Sequence, residues 1–390
     1  MTIQVLAGAN VEELALQSPL SVFDPQIMAF CQALSTSLLK HPQAKLIPEL
    51  AALGFWLRKA NLLKMKQDYP SPTYLLRKPL GVVVHYTPAN VDTMFVYSWI
   101  CALLMGNNNL VRLASREAPA KSALLSVLNQ LFAQEQFQPI AVRNTFANYP
   151  RDAEEGTQVS LMADARIIWG GDESVQAIRR LPCKPRCRDI PFADRYSVAL
   201  INGDAVSQNK VEKLAELLWR DLHPYSQMAC SSPKVLFWLG ERQWQSALWQ
   251  QIAVLNKDTP PAIHQRMDHL VTGQLAQASE LSHTHVTLGQ LSVVCIDKWD
   301  SSLVSMHPGQ GLLYLIPIAT LDNMLALLSD KCQTLSYWGL DASELLRFLP
   351  EPSITGIDRV VPIGQALDFS PVWDGFMLFE QLSRAVVVSS

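Results

Sequence analysis

Residues 81–113 read GVVVHYTPANVDTMFVYSWICALLMGNNNLVRL. Gly81-Val-Val-Val-His-Tyr86 is a short β-branched run of the kind a buried strand needs. Asp92 to Met105 is apolar over helical length and closes on Gly106-Asn-Asn-Asn109, a turn. Leu110-Val-Arg-Leu113 reads as a second strand. A strand, a buried helix and a strand in that order predict parallel β-α-β packing.

The alternation continues outward. Ala118 to Phe132 is helical, Ala165-Arg-Ile-Ile-Trp169 is a strand, and Gly170-Gly171 leads at once into a helix from Asp172. Ser197 to Ile201 is a further strand and Val206 to Leu222 a helix. A second series follows, with strands at Val235–Trp238, Val293–Ile296, Leu312–Ile316 and Thr334–Trp338, and helices at Arg242–Leu255 and Leu321–Leu328. Residues 1–78 read as helical, with Pro70 and Pro72 closing the segment. The expectation is two doubly wound α/β domains, 1–205 and 206–352, and a tail, 353–390, ending in an Ala385–Val388 strand, that packs back on the first domain or on an interface.

Composition removes several classes. The chain has 390 residues, 49% hydrophobic and 17% charged, enough to bury a core, which excludes general disorder. A net charge of −3 argues against nucleic acid as a partner. The longest apolar stretch, Met94 to Met105, falls short of the roughly 20 residues of a membrane span. Residues 1–10 carry no basic region followed by a long apolar run, so no secretory signal is expected. Seven cysteines at irregular spacings do not make a disulfide framework, and a reducing cytoplasm is expected. Cys183 and Cys187 lack a second Cys/His pair at zinc spacing, so no metal site is expected.

Four constellations carry candidate chemistry, each beside a plainer structural alternative. Gly170 and Gly171 lie at a strand-to-helix junction, where glycines let a cofactor approach backbone N–H groups; the alternative is an ordinary βα turn. Arg112, Ser115 and Arg116 lie at or past a strand end where an adenosine ribose binds in open sheets; cations there in place of a carboxylate favour a 2′-phosphate, hence NADPH, and the alternative is a solvated positive edge. Cys230, within Gln227-Met-Ala-Cys230-Ser-Ser-Pro233, is a candidate nucleophile or a small buried hydrophobe. Asn90 is a candidate oxyanion donor or a turn residue after Pro88.

In chain order, Pro88-Ala-Asn90, Gly106-Asn107…Arg112, Trp169-Gly170 and Cys230 resemble the aldehyde dehydrogenase superfamily across residues 80–340. More narrowly, Met228-Ala-Cys230-Ser-Ser-Pro233 and the block from Arg359 to Phe376, continuing to Leu382-Ser-Arg384, resemble the lux-type fatty acyl-CoA reductases of bacterial bioluminescence. The resemblance implies an aldehyde-dehydrogenase-like fold and reduction of a fatty acyl thioester, on CoA or an acyl carrier, to an aldehyde by NADPH. It implies Cys230 as the acylated nucleophile and Asn90 with the Cys230 N–H as oxyanion donors. An acid-activating synthetase subunit and a homo-oligomer are the partners it implies. Acyl phosphate reduction in the same superfamily and a non-catalytic partner role are the competing readings. One departure is informative. Hydrolytic relatives carry a Glu that activates water before the strand starting at Ser197, and here the segment is Phe192-Ala-Asp-Arg-Tyr196. A reductase that must shield its acyl-cysteine gains from that loss.

Overall fold

The computed structural model describes residues 3–69, 72, 74–88, 93–151, 153–352 and 354–389. The chain divides into two compact units, Met1–Asp194 with Phe369–Ser390, and Arg195–Asp368.

The strands before residue 195 are β1 (Gln4–Gly8), β2 (Leu75–Pro79), β3 (Val82–Tyr86), β4 (Asn108–Arg112), β5 (Asn144–Asn148), β6 (Ala165–Trp169) and β7 (Arg188–Phe192). Among the described residues, six of them form one sheet in the order β1-β5-β4-β3-β6-β7. Neighbours are parallel except β1, which runs antiparallel to β5. The chain builds from β3 to β4 and β5 on one side, then crosses to β6 and β7. The reversal therefore lies between β3 and β6, where open α/β sheets form a crevice beyond the carboxyl ends of their strands.

Local chemistry fixes this geometry. The helix Phe95–Leu104 is buried on every face, as its all-round apolarity requires. It stops at Gly106, whose φ of 83° and close approach to the Leu20 carbonyl exclude a side chain. Asn107 then accepts the N–H groups of Leu80 (2.8 Å) and Gly81 (3.2 Å) and donates to the carbonyls of Ala102 (3.0 Å) and Leu382 (2.8 Å). His85 is a core residue bonded through Nε2 to Asn109 Oδ1 at 3.1 Å. Burial pulls its pKa down to about 4, so it stays neutral.

The second unit contains β8 (Tyr196–Asn202), β9 (Pro233–Leu239), β10 (Ser282–Leu288), β11 (Leu291–Ile296), β12 (Leu312–Ile318), β13 (Cys332–Trp338) and β14 (Arg359–Pro362). Among the described residues they form a seven-stranded sheet, β10-β11-β12-β9-β8-β13-β14. It is parallel apart from the β10–β11 hairpin. Along β8, Val198 and Leu200 join one apolar cluster while Ala199 and Ile201 join another, so both faces are covered.

Residues 1–78, expected to be helical, contain β1 and most of β2, which pair with β5 and with the strand Ser383–Val387 through backbone hydrogen bonds that the local pattern does not reveal. Two further strands lie in a different sheet from the one expected. The run Ser197–Ile201, assigned by sequence to the first domain, pairs with β9 and β13 in the second sheet. Arg359–Pro362, assigned to the tail, is the edge strand beside β13. An apolar run shows that a strand is buried but not which sheet takes it.

From Phe369 the chain belongs to the first unit. It forms β15 (Val372–Trp373), β16 (Phe376–Met377) and β17 (Ser383–Val387). β17 pairs antiparallel with β2, and the Arg188 guanidinium binds the carbonyls of Glu380 (3.2 Å), Gln381 (2.8 Å) and Ser383 (2.8 Å). Phe369 packs on Trp56 and Tyr97, with ring centroids 5.6 and 4.6 Å apart. Among the described residues no helix is long and apolar enough to cross a membrane.

Candidate active site

In the first unit, the crevice at the β3/β6 reversal is a cavity of about 530 Å³. Its walls include Tyr86, Arg112, Tyr149, Arg151, Gly171 and Glu173. Tyr86 ends β3 and Arg112 ends β4, so the sheet itself aims them at the crevice. Arg112 donates to the Tyr149 carbonyl at 3.0 Å and lies over the Tyr149 ring, 5.0 Å from its centroid. The hydroxyls of Tyr86 and Tyr149 are buried and lie close to one another, with the Ser160 hydroxyl beside Tyr86. Burial raises both phenols above their ordinary range, Tyr86 to about 12, so both stay protonated and able to donate. A Cβ placed on Gly171 would meet nothing within 4 Å, so this glycine borders open space. Gly171 caps the helix Asp172–Arg179, whose first turn carries Asp172 and Glu173. An anion at that end meets two carboxylates as well as the helix N–H groups. The positive charge of the cavity comes instead from Arg112 and Arg151, at and after the ends of β4 and β5.

In the second unit, Cys230 lies on the loop entering the amino end of β9 and is half-buried. Tyr225, Ser226 and Gln227 precede it with φ of 55°, 50° and 61°, three successive left-handed residues without a glycine. Such strain persists only where surroundings hold it, and here they do. The buried Gln227 amide donates to the carbonyls of Pro233 (2.7 Å) and Leu312 (2.8 Å) and accepts the Gly311 N–H (2.8 Å). The Gln310 N–H bonds the Ser226 carbonyl at 2.7 Å. The Ser197 hydroxyl donates to the Cys230 carbonyl at 2.7 Å. Ser231 and Ser232 hydroxyls are buried and lack hydrogen-bond partners within the chain. Arg359, the first residue of β14, has the Cys230 thiol among its electrostatic neighbours, after Asp368 and Asp221. Its guanidinium is anchored on the carbonyls of Ala366 (2.7 Å) and Gln365 (2.9 Å).

Burial disfavours the thiolate, the reactive form, at five other cysteines. Burial pushes Cys31, Cys187 and Cys332 up to about 12 and raises Cys101 and Cys295 as well.

Of the residues singled out by sequence, Arg112, Gly170 and Gly171 share one cavity. Ser115 and Arg116 do not line it. The Ser115 hydroxyl bonds Asn148 Oδ1 at 3.3 Å, and the buried Lys121 ammonium draws in the carbonyls of Ala114 and Arg116. Asn90 lies outside the described residues. Sequence reasoning missed Tyr86, Tyr149, Ser197 and Arg359. Tyr86 directly follows His85 in a quoted strand, and Arg359 opens a quoted block; Ser197 and Tyr149 carry no signal beyond their positions near strand ends.

Comparison with known proteins agrees with this architecture. The chain is similar in structure to an aldehyde dehydrogenase from Bartonella henselae, with a TM-score of 0.67, 13% identity, and 97% of this chain and 88% of that one covered. It is also similar to lactaldehyde dehydrogenase from Escherichia coli, with a TM-score of 0.66, 11% identity, and coverage of 97% and 87%. The fold is therefore that of the aldehyde dehydrogenases, as the resemblance implied. Within that class, the family model described as acyl-CoA reductase (LuxC) matches residues 57–385, and the chain belongs to this family. It is 22% identical over 297 residues to the long-chain acyl-protein thioester reductase of Aliivibrio fischeri, covering 75% of this chain and 60% of that protein. It is 22% identical over 169 residues to long-chain acyl-protein thioester reductase 2 of Photobacterium leiognathi, covering 43% of this chain and 34% of that protein. The matches thus span 60% or less of the length of these curated relatives.

Proposed function

We propose that this protein reduces a fatty acyl thioester to an aldehyde through an acyl-Cys230 intermediate, with NADPH as the reductant. The observation that carries the reading is the braced loop around Cys230, held at both ends by hydrogen bonds in a chain of the LuxC family.

The Cys230 thiolate attacks the thioester carbonyl carbon. Its Sγ forms a bond there as the carbonyl oxygen takes up negative charge. Neutral donors suit that oxyanion, and the Cys230 N–H and the Asn90 amide are the donors assigned. Collapse breaks the bond to the carrier sulfur, which leaves as a thiolate and takes a proton. Acyl-Cys230 remains. Reduced nicotinamide, when bound, supplies the hydride that turns this thioester carbon into the aldehyde carbon and releases the cysteine sulfur. The segment Phe192–Tyr196 has no Glu to activate water, which favours reduction over hydrolysis of the acyl group.

The first unit's cavity fits a dinucleotide. Gly171 leaves room for close approach, Tyr86 and Tyr149 offer hydroxyls, and Arg112 and Arg151 offer positive charge. Arg112 and Arg151 would hold the phosphate-bearing adenosine end, which supports NADPH over NADH; Glu173 is the competing charge on the same cavity. The names of the curated relatives support an acyl group delivered on a protein, and the family description supports one delivered on CoA. An acid-activating synthetase subunit as the acyl source, and self-association of this chain, belong to the same reading.

The test is the intact mass of the protein after exposure to dodecanoyl-CoA without NADPH. Wild type should gain one acyl group, and Cys230→Ala should gain none. An adduct that persists in Cys230→Ala overturns the assignment.

A further inference from the structure

Ser197 stands where the second sheet is irregular on both sides. Between β8 and β9, Ser197 pairs with Pro233 but Val198 pairs with Val235, so β9 carries an extra residue, Lys234, at that step. Between β8 and β13, Tyr196 pairs with Cys332 while Val198 pairs with Leu335, so β13 also carries an extra residue. Bulges re-aim side chains and cluster next to active sites. Here two of them flank a single serine.

These irregularities turn Ser197 into a two-handed link. Its Oγ accepts the Thr334 N–H at 3.2 Å and donates its own proton to the Cys230 carbonyl at 2.7 Å. Ser197 is fully buried, and its bond from the Thr334 N–H is buried at both ends. Only a hydroxyl side chain accepts and donates through one atom at this size. Gln227 fixes the far end of the loop by donating to the Pro233 carbonyl. Ser197 fixes the residue that bears the thiol. A peptide group is planar and trans, so holding the Cys230 carbonyl toward Ser197 turns the following N–H, that of Ser231, the opposite way.

We infer that Ser197 is a positioning residue for the nucleophile: its hydroxyl ties the Cys230 peptide to the bulged edge of the sheet and so sets the direction from which Sγ meets an acyl carbon. The inference rests on the reading of Cys230 as the acylated residue. It assigns Ser197 no contact with substrate. The hydroxyl reaches the nucleophile through the Cys230 carbonyl, so its loss should slow the chemical step rather than weaken acyl binding. Misplacing a reacting group by about 1 Å costs on the order of 100-fold in rate.

The test compares Ser197→Thr with Ser197→Val. The two replacements have nearly the same shape and differ in the hydroxyl, so any packing disturbance is common to both. Acylation by dodecanoyl-CoA in the absence of NADPH is followed by intact mass over time, across a range of substrate concentrations, beside wild type and Cys230→Ala. The Thr variant should retain most of the wild-type rate. The Val variant should acylate about 10- to 100-fold more slowly at saturation, with little change in the half-saturating concentration. Thermal unfolding of both variants reports the structural part separately. Equal acylation rates in the Thr and Val variants, with wild type acylating normally on Cys230, overturn the role of Ser197. Should wild type itself fail to load Cys230, the functional reading fails instead, and the two failures are told apart by the wild-type trace.

Discussion

Asp221 is fully enclosed at the end of the helix that precedes the Cys230 loop. Its carboxylate accepts the N–H groups of Gly364 (2.7 Å) and Ala366 (3.0 Å), the same turn whose carbonyls anchor Arg359. Burial pushes its pKa up to about 7 against an ordinary value of 3.8, although both N–H groups pull the other way. Between those two values the folded chain holds a proton that the unfolded chain has released. Its contribution to stability is therefore complete below the unfolded value and is lost as pH rises toward 7. Asp221→Asn cannot titrate. We expect its unfolding temperature to vary less than that of wild type between pH 4 and 7, although losing one acceptor lowers it at every pH. Parallel curves for the two proteins would contradict the raised carboxyl. At this scale the sequence was partly legible. Cys230 stood out because small residues surround it, whereas Asp221 and Ser197 look like any helix-end acid and any strand serine. Their roles come from partners more than 30 residues away.

At the scale of elements, the βα junction after β6 was legible because Gly170-Gly171 directly follows an apolar strand run and precedes a helical pattern. Gly171 has ordinary helix-entry dihedrals, with φ of −65°, so substitution there strains nothing. We expect Gly171→Leu to fold with an unfolding temperature near that of wild type, because a Cβ at this position meets open space. The larger side chain should instead occupy the cavity and raise the half-saturating NADPH concentration at least about tenfold, the effect of losing about 1.4 kcal/mol of binding. A variant with unchanged NADPH dependence would place the cofactor elsewhere. Several strands escaped the sequence analysis for identifiable reasons. β5 reads Asn-Thr-Phe-Ala-Asn, with buried polar residues held by side-chain hydrogen bonds, so its hydrophobic signal is weak. β10 lies at a sheet edge and alternates His, Thr and Ser with a single Val. β7 begins with Arg188 and Asp189, and Asp189 forms a two-bond ion pair with the buried Arg166, at 2.6 and 2.7 Å. In each case tertiary contacts override the local pattern.

At the scale of the molecule, the order of elements gave the α/β class, and the resemblance in the C-terminal block gave the family. Sheet membership needed coordinates, because β8 and β14 carry no mark of the sheet they enter. The returning tail was expected and has measurable weight. Phe379 packs on Phe23 and Tyr69 with ring centroids 5.5 and 5.2 Å apart, and β17 supplies the partner of β2. A chain ending at Asp368 would expose those rings and remove the Leu382 carbonyl from Asn107. Removing a buried aromatic alone costs about 3–5 kcal/mol, a large share of the stability of most domains. We expect such a truncated chain to show rapid proteolysis within residues 1–194, while resistance equal to that of the full chain would show the tail to be dispensable.

The central claim concerns acyl transfer to one sulfur and its reductive discharge. A single experiment reads both: protein loaded with dodecanoyl-CoA is freed of excess substrate, mixed with NADPH, and followed by intact mass and by trapping of aldehyde. The account predicts an acyl mass localised to Cys230 that disappears on adding NADPH as an equal amount of dodecanal forms. An acyl mass on any other residue, or loss of the Cys230 adduct to free dodecanoic acid without aldehyde, would contradict it.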